Sequence, residues 1–170
     1  IGAGDRGLEL LNQIRACDNA EVGAFADVYS KRLEKAVSFA PNAETHSDYR
    51  SLLDDDSLDA IVIATPPHVH AEPFCAALQA GKHVYVEKPG SHNPWEAEAI
   101  VAAAAKYKRK CQMGNQRRSY ANVIEGIQKL REGVIGQVLF SRCYYNGARP
   151  SIKKGQPGQP PATLNWTLWQ

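Results

Sequence analysis

Six residues at the start of the chain, Gly2-Ala3-Gly4-Asp5-Arg6-Gly7, restrict the fold more than any other feature of the sequence. Glycines at this spacing, followed at once by an amphipathic stretch, form the turn on which a doubly wound sheet carries a pyrophosphate. The first glycine permits a tight turn, the second lets phosphate approach the backbone, and the third lets helix and strand pack closely. The helix that follows offers free N–H groups and a partial positive charge. Such a glycine pattern also arises by chance in loops, so its context decides. Residues 6–17 set Leu8, Leu11, Ile14 and Cys17 at helical spacing, residues 22–26 read as a strand, and Asp27 closes that strand. A carboxylate about twenty residues past the glycines holds ribose hydroxyls in such folds. The other reading of Asp27 is an N-cap for the helix that begins near Tyr29. An acid here favours NAD by repelling a ribose 2′-phosphate, while Ser30, Lys31 and Arg32 nearby leave NADP open.

The same alternation continues along the chain. Residues 30–40 read as a helix stopped by Pro41, 43–46 as a short strand and 49–53 as a short helix. The continuous apolar run 60–64 suits a parallel strand covered on both faces. Thr65-Pro66-Pro67 breaks it at the carboxyl end, where doubly wound sheets bind ligands; an ordinary strand-ending turn is the alternative. Residues 70–80 form a helix closed by Gly81, and 83–86 the next strand. Asn93 caps a helix with Pro94 at its first position, running to about Lys108; a strand at 111–113 and a helix at 121–130 follow. Residues 137–145 read as a longer, half-alternating strand of a different, antiparallel sheet, and 147–163 as a loop. The fold class is therefore α/β: a doubly wound parallel sheet over residues 1–118, with 119–170 leading into a second α+β domain whose sheet begins near residue 136.

Composition narrows the function classes. A net charge of +2 on 170 residues gives no field for nucleic acid or an anionic membrane. The longest apolar runs are strand-sized and span no bilayer. The four cysteines, Cys17, Cys75, Cys111 and Cys143, lie tens of residues apart, which points to buried, reduced thiols in a reducing, cytoplasmic setting and to neither disulfides nor a metal site. The chain opens at Ile1 without methionine, so it reads as an internal piece of a longer protein whose export signal, if any, lies upstream.

Gly81-Lys82-His83-Val84-Tyr85-Val86-Glu87-Lys88-Pro89 brings Glu87 and Lys88 to a strand's carboxyl end. An ammonium there can polarise or protonate a substrate oxygen beside a nicotinamide, with the carboxylate orienting it; taken alone, the pair also reads as a surface ion pair.

Together, the glycine turn, Asp27, Ala64-Thr65-Pro66-Pro67-His68-Val69-His70 and the Glu87-Lys88-Pro89 segment resemble the Gfo/Idh/MocA family, named for glucose–fructose oxidoreductase, inositol dehydrogenase and a rhizopine-catabolism protein. The resemblance runs over nearly the whole chain. It implies an oxidoreductase that moves a hydride between NAD, or NADP, and a sugar, cyclitol or related polyol. It also implies that Lys88 contacts nicotinamide and substrate hydroxyl, and that an aspartate and a histidine from the second domain complete proton transfer; none of the five histidines here fills that role. The cofactor set it implies is Gly2, Gly4, Asp5, Arg6, Gly7, Asp27, Thr65, Pro66, His70, Glu87, Lys88, Asn115 and Gln116. For His70, helix capping is an equal alternative. Met113-Gly114-Asn115-Gln116-Arg117-Arg118-Ser119 resembles the family's sixth-strand segment, which approaches nicotinamide and substrate. Asn115 and Gln116 read otherwise as a polar turn. Lys88, Arg117 and Trp166 are the substrate candidates, against surface pairing for Arg117; Trp166 and Trp169 could stack on a sugar face or serve as core or interface anchors. Full-length relatives of this kind associate through the second-domain sheet, so a homo-oligomer is expected. Two other readings stay open: an NAD-dependent glycosidase of the same family, and a dinucleotide-binding regulator without catalysis.

Overall fold

The computed structural model describes residues 1–151 and 154–169; residues 152 and 153 of the expected 147–163 loop, and residue 170, lie outside that set. Helix α1 (Asp5–Arg15) starts directly after Gly4 and turns Leu8, Leu10 and Leu11 inward. It is followed by β1 (Ala24–Ala26), α2 (Ser30–Val37), β2 (Glu44–His46), α3 (Arg50–Leu53) and β3 (Ala60–Ile63). Then come α4 (Ala71–Gln79), β4 (His83–Val86), α5 (Pro94–Tyr107), β5 (Cys111–Met113), α6 (Ala121–Arg131) and the single turn α7 (Trp166–Trp169).

Local chemistry sets the boundaries. Asn93 Oδ1 accepts the Glu96 amide at 2.9 Å, and Pro94 opens α5 where no N–H is needed. Past the end of α4, Gly81 takes φ +80° and its N–H closes on the Leu78 carbonyl at 3.0 Å. Among the described residues, no helix is long and apolar enough to cross a membrane.

The chain forms two compact units, one of Ile1–Gly114 joined by the segment from Pro160 onward, the other of Asn115–Gln159. In the first, β1 pairs with β2 and β3–β4–β5 form a second ladder, every pair parallel. Parallel neighbours must be linked by crossovers, and here α2, α4 and α5 supply them. Ile61, Ile63, Phe74, Leu78, Val84 and Val86 pack into the core between β3, β4 and α4. A smaller cluster of Ala3, Leu8, Leu11 and Ala36 lies under α1 and α2.

Ile1 and Gly2 join the two ladders. The Ile1 amine donates to the Val62 carbonyl at 2.6 Å, the Ala64 amide donates to the Ile1 carbonyl at 2.9 Å, and the Gly2 amide donates to the Ala26 carbonyl at 2.8 Å. The sheet order is therefore β2–β1–(Ile1–Gly2)–β3–β4–β5, the doubly wound arrangement expected from the alternation of elements. Beside Ile1 the facing edges of β1 and β3 border a groove of about 790 Å³, lined by Leu8, Leu11, Val22, Ala24, Leu58 and Ile61 among others.

Burial pushes the Ile1 ammonium down to about 6, with the Asp27 charge opposing. For a polypeptide that begins at Ile1, the unfolded state then holds more protons than the folded one between pH 6 and pH 8. Stability accordingly rises with pH across that window, by about 2 kcal/mol, and is flat below it as far as this amine is concerned. Thermal melts at pH 5.5 and pH 8 check this, and Nα-acetylation is expected to remove the difference.

In the second unit a 3₁₀ turn (Gln116–Ser119) leads into α6. Residues 137–145, expected as an antiparallel strand, carry no ladder, and Leu139 and Phe140 are exposed. The reason is physical: a strand exists only with a neighbour that takes its N–H and C=O groups, and the described residues of this unit offer none. The cysteines, expected buried, are exposed at Cys17, Cys111 and Cys143 and half-buried at Cys75.

Candidate cofactor and active site

The glycine turn has room for backbone only. Gly2 takes φ +84°, and a Cβ there would sit 2.8 Å from the Ala64 carbonyl and the Thr65 amide nitrogen. A Cβ on Gly7 would collide with the Gly2 carbonyl oxygen. At Gly4 the nearest group would be the Arg32 guanidinium at 3.5 Å, an ordinary contact, so this glycine keeps the surface open and does not relieve a clash. No side chain caps the start of α1, which leaves the first-turn amides directed at whatever anion lies over the turn. Asp5 is exposed and 3.8 Å from Lys35, which keeps its charge in solvent.

Asp27 does not cap α2. Its Oδ1 accepts the Tyr29 amide and its Oδ2 accepts the Ala3 amide, both at 2.8 Å, so the carboxylate ties the end of β1 to the glycine turn. A carboxylate has about four acceptor positions, and two backbone amides leave capacity for hydroxyl donors. Arg32 Nη1 lies 3.8 Å from Asp27 Oδ2, and its guanidinium sits over the Tyr29 ring at 5.7 Å. Of the three candidate phosphate partners Ser30, Lys31 and Arg32, only Arg32 lines the adjoining cavity. That cavity measures about 140 Å³, and Gly2, Asp27, Thr65, Pro66, Tyr49 and Trp169 contribute to its wall. On its far side, Tyr49 Oη donates to Glu72 Oε1 at 2.8 Å. Burial and that acidic partner together raise the Tyr49 phenol above its ordinary range.

Glu87 is 4% exposed and is held from the opposite side of the turn. Arg6 Nε and Nη2 reach its Oε1 at 2.8 and 2.7 Å, and Arg6 Nη1 also meets Glu9 at 2.7 Å. Burial disfavours the Arg6 charge, but the bonds to Glu9 and Glu87 outweigh it and hold the guanidinium more firmly protonated than usual. Tyr85 Oη adds a bond to Glu87 Oε1 at 3.3 Å; burial and the carboxylate together raise that phenol. Glu87 Oε2 accepts the Lys88 backbone amide at 3.1 Å. The carboxylate thus fixes the Lys88 backbone, where the sequence pointed to the ammonium. That ammonium is exposed, with no ion pair among the described residues. Gly114 leaves the space for this arrangement, because a Cβ there would come within 2.8 Å of Glu87 Oε1.

His70 is 1% exposed. Its Nδ1 lies 2.6 Å from the Pro89 carbonyl and its Nε2 2.8 Å from the Thr65 carbonyl, so neither ring nitrogen is left to face a cofactor. Its side chain does not cap α4 either. Thr65 Oγ1 donates to the Val69 carbonyl at 3.0 Å, while Thr65 and Pro66 line the cavity. Trp166 is 46% exposed and stands outside the cavity wall; Thr167, Leu168 and Trp169 line it instead, with Trp169 meeting His68 edge-on at 6.1 Å between ring centroids. Asn115, Gln116 and Arg117 belong to the second unit, with Gln116 partly buried and the other two exposed.

The sequence did not single out Tyr49 or Glu72 as cavity residues. Nothing in their local pattern marks them, since they meet only through the parallel winding. The doubled use of Arg6 is legible only in hindsight, from an arginine in the glycine turn and an acid before Lys88.

A family model described as an oxidoreductase family with an NAD-binding Rossmann fold matches residues 1–115. The chain belongs to the Gfo/Idh/MocA oxidoreductase family. Scyllo-inositol dehydrogenase from Lactobacillus casei, solved with bound cofactor NAD(H) and scyllo-inositol, is 27% identical with a TM-score of 0.75, over 79% of this chain and 40% of that one. A 3-ketoreductase mutant from Actinomadura kijaniata, solved with TDP-benzene and NADP, is 28% identical with a TM-score of 0.73, over 80% of this chain and 43% of that one. Among curated relatives, a glycosyl hydrolase family 109 protein of Shewanella sp. strain W3-18-1 is 28% identical over 154 residues, 85% of this chain. The chain spans 34% of that relative's length.

Proposed function

We infer that this chain is the cofactor-binding part of an oxidoreductase acting on a sugar, cyclitol or related polyol, with NAD or NADP as partner. The carrying observation is the exposed Lys88 ammonium at the carboxyl end of β4, its backbone held through Glu87 and Arg6 to the glycine turn. The cradle fits a dinucleotide, since Gly2 and Gly7 leave bare backbone where a Cβ would clash. The α1 amides and Gly4 serve the pyrophosphate, Asp27 the ribose hydroxyls, and Thr65 and Pro66 the adjoining wall. A bound nicotinamide supplies or accepts the hydride. Lys88 holds the substrate oxygen and passes its proton, with Asn115, Gln116 and Arg117 as further contacts from the segment after β5. Residues 1–118 form the cofactor domain and 119–170 lead into the substrate domain, whose sheet is the natural oligomer surface.

The inositol dehydrogenase and the ketoreductase lend weight to hydride transfer as the net reaction. The glycosidase reading rests on relatives matched over about a third of their length and is the weaker one. Incubating the full-length protein with NAD or NADP and a panel of inositols and sugars, and following reduced-nicotinamide absorbance, is expected to show turnover with at least one polyol. No reduction with any of them, together with glycoside cleavage that consumes no cofactor, would overturn the reading.

Cofactor choice is testable on the same residues. Asp27→Ala removes the ribose acceptor and the charge that repels a 2′-phosphate, while Arg32 stays. NAD binding is expected to weaken by about 10- to 100-fold and NADP binding by much less, the range of a hydrogen bond to a charged group. NADH and NADPH fluorescence titrations measure both.

A further inference from the structure

His70 bridges the two turns that flank the lysine of the proposed site. We propose that it is a positioning residue for the reaction: its buried ring cross-ties the turn after β3 to the turn after β4 and so holds Lys88 in register with the glycine turn. This rests on the reading of Lys88 given above. The ring is enclosed, and its two nitrogens reach carbonyls of residues 24 positions apart, Thr65 at 2.8 Å and Pro89 at 2.6 Å. Each end of this tie is anchored further. The Thr65 backbone packs against Gly2, where no Cβ fits. Pro89 directly follows Lys88, whose own amide donates to Glu87 Oε2 at 3.1 Å.

Lys88 therefore stands between two struts that both start at the glycine turn. One runs through Arg6 and Glu87 to the Lys88 amide. The other runs from Gly2 through Thr65 and His70 to the Pro89 carbonyl. The lysine side chain is long and exposed and carries no ion pair of its own among the described residues, so nothing but its backbone can aim it. Both partners of the ring are carbonyls, and carbonyls only accept. The tie therefore runs through ring N–H, which a phenyl ring of similar shape lacks. A displacement of about 1 Å at a reacting group costs on the order of 100-fold in rate, which is the scale on which losing one strut is read.

The test uses the full-length protein with its best polyol. His70→Phe is expected to lower kcat by roughly 10- to 100-fold, with the cofactor dissociation constant changed less than about 3-fold. His70→Gln keeps two hydrogens on one nitrogen and is expected to recover most of the loss. In a Lys88→Ala background, His70→Phe is expected to add nothing further. An independent readout is amide hydrogen exchange at Lys88 and Gly90, expected to quicken in His70→Phe while the β3 amides keep their protection. Should the Phe variant not fold, His70→Asn, too short to span both carbonyls, gives the same comparison. Wild-type kcat in these variants, a loss confined to cofactor affinity, or an equal further loss without Lys88 would overturn the proposal. If Lys88→Ala itself retains activity, the reading of Lys88 fails. The exchange measurement then still decides the tie: faster exchange at Lys88 upholds it and unchanged exchange refutes it.

Discussion

Replacing Lys88 by alanine in the full-length protein is expected to lower kcat by about three orders of magnitude, within the 10²- to 10⁴-fold range of a positioned acid–base group. Cofactor affinity and stability are expected to change little. The asymmetry follows from where the side chain lies. Lys88 is exposed, so its removal opens no cavity and strands no buried partner, and surface changes of this kind stay within about 0.5 kcal/mol. Its backbone amide, which does carry a bond to Glu87, survives the substitution. The loss should fall on kcat and leave the melting temperature in place, a pattern that misfolding cannot produce. Lys88→Arg separates charge from proton transfer, because a guanidinium keeps the cation but does not release its proton near neutral pH. If the lysine acts by electrostatics alone, arginine should restore much of the rate; if it passes a proton, Lys88→Arg stays close to Lys88→Ala. Single-turnover kinetics on both variants, with a dissociation constant from nicotinamide fluorescence, make the comparison. A Lys88→Ala protein within tenfold of wild type would remove the chemistry assigned to this site.

The parts of the fold readable in the sequence are those whose cause is local. The turn at Gly2–Gly7, the Asn93-Pro94 start of α5 and the Gly81 stop after α4 each depend on a few neighbouring residues, and the structure places them as expected. The apolar run at residues 60–64 is legible as a parallel strand from its continuity, but only the face of Ile61 and Ile63 is buried; Ala60 is exposed and Val62 half-buried on the other. What stayed hidden depends on neighbours far along the chain. Asp27 could be marked as important, but its bond to the Ala3 amide, which makes it a brace between β1 and the glycine turn, appears only once the two lie side by side. His70 looked like a helix-start residue or a cofactor contact; its two carbonyl partners come from different turns and are brought together by the winding of β3 and β4. The half-alternating pattern of residues 137–145 suggests a strand that the structure does not form, because a pattern cannot supply the partner strand that a ladder requires.

These braces share a logic. The site is built on backbone loops at strand ends, where chain atoms are least constrained, and three side chains from the first unit restrain them. Asp27 ties the β1 turn to the glycines, Arg6 ties the glycines to Glu87, and His70 ties the β3 turn to the β4 turn. All three are charged or polar and bonded mainly to groups that cannot move freely, so each converts a surface loop into part of the frame. Under the proposed function, such preorganisation would hold the Lys88 amine within the small displacements that catalysis tolerates.

A polypeptide carrying about six β-branched apolar residues ahead of Ile1 is expected to be more stable than one beginning at Ile1 by at least about 3 kcal/mol near pH 6. The bonds already made by Ile1 and Gly2 define the register. The Ile1 amine faces the Val62 carbonyl and the Gly2 amide faces the Ala26 carbonyl. In a parallel ladder the next bonds fall two residues earlier, on the amides of Val62 and Ala26 and the carbonyls of Ala60 and Ala24. An added strand would thus pair with β1 on one edge and β3 on the other, and fill the groove of about 790 Å³ with side chains packed on both faces. It would also turn the buried Ile1 ammonium, held down to about 6 by desolvation, into an ordinary peptide N–H. Removing that buried charge accounts for about 2 kcal/mol of the gain at pH 6, and it leaves no pH dependence from this group. The remainder is the surplus of apolar burial and ladder bonds over the entropy of ordering six residues, which is small because these terms nearly cancel. For a chain of this size, about 3 kcal/mol corresponds to a rise in Tm of roughly 10 °C. A control extension with proline two residues ahead of Ile1, where an N–H should reach the Ala60 carbonyl, is expected to lose most of the gain. Slowed hydrogen exchange at the Val62 and Ala26 amides would locate the strand. An extended protein with an unchanged Tm, and with those two amides exchanging as before, would mean that the groove is closed by something other than a central strand.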